Sequence, residues 1–93
     1  MASRTRVDEV IRFLGLEESP ILEQLRREGL FEEEWLEGDA TEELRVAASL
    51  IRELGVNPAG VEVVLHMRRR MLALEDMMER SLRKLLAELE RQR

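Results

Sequence analysis

Few side chains in this sequence could perform covalent chemistry, and their spacing argues against it. His66 is the only histidine, cysteine is absent, and Glu62 is the one carboxylate placed a helical turn away. A zinc-type site needs three or four converging ligands, so a lone His–Glu pair would leave a metal unheld. The chain carries no glycine-rich phosphate loop, nucleophile–base pair or His–carboxylate constellation. Glu17-Glu18 and Glu42-Glu43 fall at expected helix starts, where the helix dipole favours negative charge without any catalytic role. Arg68-Arg69-Arg70 resembles an anion patch, yet three successive helical residues spread over three faces, and we read them as solvated surface. The sequence therefore predicts no enzyme, no catalytic residue, no metal ligand and no cofactor.

The chemistry that does stand out is recognition by charge. Residues 31–39, Phe31-Glu32-Glu33-Glu34-Trp35-Leu36-Glu37-Gly38-Asp39, set five carboxylates around the only tryptophan. Crowded carboxylates repel one another and attract a basic partner. A tryptophan among them either anchors an interface or plugs the small core, and base rates favour the plug. The bland alternative is a solvated loop. We take Glu32, Glu33, Glu34, Trp35, Glu37 and Asp39 as the candidate partner-binding residues.

This acidity is regional. Between Glu17 and Arg45 there are 11 acidic and 3 basic residues, against 6 acidic and 8 basic from Val61 onward, within a net charge of −5. An acidic face repels phosphate and suits a basic protein.

Helices must position these groups. Val7, Val10, Ile11 and Leu14 form one amphipathic stripe, which Gly15 ends. Ser19 and Pro20 start a second helix with Ile21, Leu22 and Leu25 inward, and Gly29 stops it. The pair reads as helix-turn-helix. Residues 30–38 lack regular periodicity and read as a loop or short ribbon. Asp39 and Glu42 suggest a capping box for a third helix over residues 40–54, burying Leu44, Ala47, Ala48, Ile51 and Leu54.

Gly55, Asn57 and Pro58 then spell stop, cap and restart. The fourth helical pattern runs to Arg91. Its apolar residues Val64, Met67, Met71, Leu74, Met78, Leu82, Leu85 and Leu89 follow a heptad-like rhythm with one stutter near Ser81. Glu79–Arg83 and Asp76–Arg80 are acid-first i,i+4 pairs. A helix over residues 61–92 would be about 48 Å long, too long to fold back onto so small a domain. Its outer half should find a partner in a second chain, as a homodimer hypothesised to be an antiparallel coiled coil. The expected dimer interface is Met71, Leu74, Met78, Leu82, Leu85 and Leu89.

With 93 residues and only 3% aromatics, the chain has room for one small aliphatic core. The N-terminal segment leads into charged sequence without an apolar signal core, and no run is long enough to span a bilayer, so a cytoplasmic location is expected.

The order of elements resembles the MerR superfamily: helix-turn-helix, wing, two further helices and a dimerising coiled coil. The matching stretches are Leu14-Gly15-Leu16 at the turn, Glu28-Gly29-Leu30 after the second helix, and Ile51-Arg52-Glu53-Leu54-Gly55-Val56-Asn57 before the fourth. DNA-binding members carry an Arg-Tyr pair near where this chain has Glu23 and Gln24, and arginines and tyrosines where it has the acidic wing. Specific DNA binding is therefore not expected. The chain is more similar to the CbpM chaperone-modulator family, with Trp35 in the wing and a similar 57–65 segment, though the heat-shock repressor HspR shares wording there.

The resemblance implies an all-α fold: a MerR-like winged helix-turn-helix over residues 1–60, then a C-terminal dimerisation helix over residues 61–93. It also implies a partner, the J-domain of a CbpA/DnaJ-like co-chaperone, whose basic helix would be withheld from the DnaK-type chaperone. A MerR- or HspR-like DNA-binding regulator, using Arg26 and Arg27, is the alternative.

Overall fold

The computed structural model describes residues 4–92. Met1, Ala2 and Ser3, the start of the segment read above for a signal core, lie outside the described residues, as does Arg93. The elements in order are β1 (Arg4–Arg6), α1 (Val7–Phe13), α2 (Ile21–Arg27), β2 (Trp35–Glu37), α3 (Ala40–Leu54) and α4 (Pro58–Arg91). The protein is thus mainly helical, as expected. A two-stranded antiparallel sheet amends the all-α reading, with Arg4 opposite Glu37, Thr5 opposite Leu36 and Arg6 opposite Trp35. Residues 31–39 therefore do supply a strand, but it pairs with the N-terminus.

The helix ends follow local chemistry. Past α1, Gly15 adopts φ 70°, which costs a residue without a Cβ nothing. Its N–H bonds Arg12 O while Leu16 N–H reaches Ile11 O, both at 3.0 Å, and Leu16 is thereby turned into the core. The α2 terminus repeats the pattern: Gly29 N–H bonds Arg26 O, Leu30 N–H bonds Leu25 O, and Leu30 is buried. At the start of α2, Ser19 Oγ accepts from Ile21 N–H at 3.3 Å. At the start of α4, Asn57 Oδ1 accepts from Gly60 N–H at 2.7 Å, with Pro58 in the first position.

The capping box expected for α3 does not form. Asp39 sits in helical φ/ψ and caps nothing, while Glu42 bonds Arg45. A guanidinium takes each carboxylate away from the backbone.

The core is aliphatic throughout. Val7, Val10 and Ile11 of α1, Ile21 and Leu25 of α2, and Leu44, Ala47 and Ala48 of α3 close on Val61 and Leu65 of α4. Leu16, Leu30 and Leu36 fill in from the connections. Ile51 packs partly buried against this cluster, but Leu54 is 72% exposed, a correction to its expected burial. Leu54 ends α3 with its side chain in solvent, and Val56, just past the Gly55 turn, packs against the cluster in its place.

The first turns of α4 thus belong to the folded head. The remainder projects from it, giving the molecule extents of 62 × 29 × 21 Å. No helix among the described residues is long and apolar enough to cross a membrane.

Candidate functional site

Strand alternation places Trp35 and Glu37 outward and Leu36 inward. Trp35 is 40% exposed, so it is not the core plug that base rates favour. Its ring lies under two cations instead: Arg4 Cζ is 4.6 Å and Arg6 Cζ 5.7 Å from the ring centroid. Such contacts are attractive because the ring face is electron-rich. Arg6 also donates to Glu34 at 2.8 Å, and Arg4 meets Glu37 at 3.4 Å. The tryptophan, two arginines and two carboxylates therefore form a closed surface ladder.

The mutual repulsion expected among the five carboxylates is largely relieved within the chain. Glu34 and Glu37 are paired as above, and Arg68 of α4 holds Asp39 with both terminal nitrogens. That hydrogen bond, against a smaller opposing effect of desolvation, keeps the Asp39 carboxyl below the usual carboxylate range. Only Glu32 and Glu33 stand exposed with no ion-pair partner among the described residues. They follow Phe31, whose positive φ of 54° is held by Arg26 Nε donating to its carbonyl at 2.9 Å. The loop's shape thus depends on an arginine that the DNA-binding alternative would need free.

Arg69 and Arg70 are exposed and Arg68 is half-buried, in keeping with a largely solvated surface, yet Arg68 and Arg69 also hold carboxylates of the head. They clamp the start of α3 to α4: Arg68 takes Asp39, and Arg69 bonds Glu43 in a two-point fork at 2.6 and 3.0 Å. Glu43 is the one buried charged residue among those described, and the fork satisfies both its oxygens. Each clamp arginine is held more firmly protonated by its carboxylate. Glu42 is lowered by its hydrogen bond from Arg45. His66 and Glu62 are both exposed, and no group of three or more His, Cys, Asp or Glu among the described residues could hold a metal ion.

The expected dimer residues lie beyond the clamp. Met71, Leu74, Met78, Leu82, Leu85 and Leu89 form one stripe on α4 and are 58 to 66% exposed, with no part of the head over them. Salt bridges Asp76–Arg80 and Glu79–Arg83 run along the same helix as expected.

Sequence reasoning missed two features. A charge pair, Arg4 with Glu37, and a cation–ring pair, Arg6 with Trp35, at matching positions of the two segments are a cross-strand signal that could have found the ladder. It also passed over Phe13, which projects from α1 beside an open groove of about 370 Å³ lined by Val10, Leu14 and Thr41. No family model, curated protein or solved structure matches the chain.

Proposed function

We propose that this chain is a CbpM-like chaperone modulator. Its head, a MerR-like winged helix-turn-helix in this reading, binds the J-domain of a CbpA/DnaJ-like co-chaperone and keeps it from the DnaK-type chaperone. The outer half of α4 joins two copies into a homodimer. The observation that carries the reading is the charge of the head: residues 4–60 hold 14 acidic and 7 basic residues. Several of those carboxylates, Glu17, Glu18, Glu23, Glu28, Glu32 and Glu33, are exposed on or beside α2 without an ion-pair partner among the described residues. A basic helix gains long-range attraction there, whereas a phosphate backbone is repelled.

The pairing within the ladder moves the expected contact toward Glu32 and Glu33. Glu34, Glu37 and Asp39 would each have to surrender an arginine to meet a partner. Reversal of both free carboxylates, Glu32→Lys with Glu33→Lys, should weaken J-domain capture about ten-fold at low salt, with less effect as salt rises. Pull-downs with a J-domain and gel shifts with DNA at one ionic strength separate the proposal from the alternative. Specific DNA binding without J-domain binding would overturn it. The DNA reading has little on α2 to work with, since Arg26 is engaged by Phe31 and only Arg27 remains.

A further inference from the structure

We infer that a hollow at the corner between α1 and α2 seats the apolar anchor of a basic amphipathic helix from a partner protein. The inference rests on the reading of the acidic head as a surface for a basic protein, and it locates a contact outside residues 31–39.

The hollow, about 380 Å³, opens where the chain leaves α1 and enters α2. Buried Ile11 and Leu16 form its floor, with half-buried Leu22 and exposed Pro20 beside them. Its border holds the exposed carboxylates Glu17, Glu18 and Glu23. Among the described residues none of the three has an ion-pair partner, and no basic side chain lines the hollow.

The local backbone explains why these carboxylates stay outside. Ser19 N–H bonds Leu16 O at 3.0 Å, closing a turn with Glu17 and Glu18 at its two central positions while Leu16 is buried. α2 begins only at Ile21, so Glu17 and Glu18 lie before its first turn and the helix dipole does not account for them. Ser19 Oγ already accepts from Ile21 N–H at 3.3 Å. The charge at the border is left to the carboxylates.

Two other hollows of the head carry mixed charge. That beside Phe13 is bordered by Arg45 as well as Glu9 and Glu42, and that beside Trp35 by Arg69 as well as Glu32, Glu33 and Glu43. Neither selects a partner by sign. At the α1–α2 corner the apolar floor takes one large aliphatic or aromatic side chain, and the acidic border takes the cations around it. One face of a basic amphipathic helix presents that combination, an apolar residue with lysines or arginines three and four positions away. An acidic peptide or a phosphate backbone meets the same border as repulsion. The buried anchor is what holds the complex, because surface charge steers encounter more than it retains a partner.

The probe is a fluorescently labelled helical peptide with one central leucine and lysines three and four residues to either side. It is titrated with the full chain and followed by anisotropy. Replacing the leucine by serine should weaken binding about ten-fold, the loss of one buried side chain. Glu18→Gln with Glu23→Gln should weaken it about ten-fold at low salt and less as salt rises, whereas Glu32→Gln with Glu33→Gln should change it less than about two-fold. Equal losses from the two pairs, indifference to the leucine, or no binding by the wild-type chain at high micromolar concentration would each overturn the inference. J-domain pull-downs separate it from the proposed function. Capture of the J-domain untouched by Glu18→Lys with Glu23→Lys overturns the hollow as the contact and leaves the proposed function. A peptide seated as expected with no J-domain captured supports the hollow and removes that partner. All four residues are exposed, and circular dichroism equal to wild type verifies that each variant is folded.

Discussion

Leu65 and Leu82 are the same residue on the same helix, on faces of similar periodicity, and they meet opposite fates. Leu65 is fully buried in the core cluster of the head, while Leu82 is 58% exposed. The charges divide in the same way. At the base of α4, Arg68 and Arg69 reach residues 29 and 26 positions away in sequence and close the head. Farther out, Asp76–Arg80 and Glu79–Arg83 are partners one turn apart that stiffen the helix and join it to nothing. An amphipathic pattern therefore marks a face that needs covering. Whether the same chain covers it depends on how far the head extends along the helix.

The contrast can be broken at several points. The largest effect is expected from Leu82→Glu, which places two charges in the proposed seam, one from each copy. Losing both leucines should cost the dimer about 3–6 kcal/mol, enough to shift the mass seen in light scattering from dimer to monomer. Glutamate is a good helix former, so α4 itself should persist. A Leu82→Glu protein that stays dimeric places the interface elsewhere.

Leu65→Ala comes next, with about 2–5 kcal/mol lost from the head in denaturant unfolding, because it opens a cavity among residues that cannot collapse fully. Leu74→Ala made in the Leu82→Glu background should cost under about 0.5 kcal/mol, as an exposed leucine has no cavity to leave. Equal costs at the two sites would abolish the distinction between head and tail.

Arg69→Ala should cost about 1–2 kcal/mol, since it leaves the buried Glu43 carboxylate without its fork, whereas Arg83→Ala should cost no more than about 0.5 kcal/mol. Urea midpoints of the two variants give the comparison.

The smallest effect is expected on acidification. Asp39 and Glu42 are held below their ordinary pKa, first by hydrogen bonds from Arg68 and Arg45. Between the folded and unfolded pKa values the unfolded chain binds more protons, so stability rises with pH there. Their contribution is complete above about pH 5 and declines as pH falls through the folded values. Asp39→Asn should therefore flatten the acid side of a melting-temperature profile slightly, leaving neutral pH unaffected in slope.

What the sequence determined by itself is what a few neighbouring residues can settle. Gly15 and Gly29 stop helices, Asn57-Pro58 starts one, and the periodicity of Val7, Val10 and Ile11 or of the α4 stripe fixes which side is apolar, because backbone hydrogen bonding and side-chain spacing act within a turn or two. The five carboxylates around Trp35 were legible as a cluster, and so was the apolar seam. Tertiary structure decided their state. It laid Arg4 and Arg6 across Trp35, gave Asp39 to Arg68 in place of a helix cap, sank Glu43 beneath Arg69 and left Leu54 outside the core. Each of these joins residues distant in sequence, and an arginine carries no local mark of which carboxylate it will meet. That choice follows from where the packed helices bring the two side chains together.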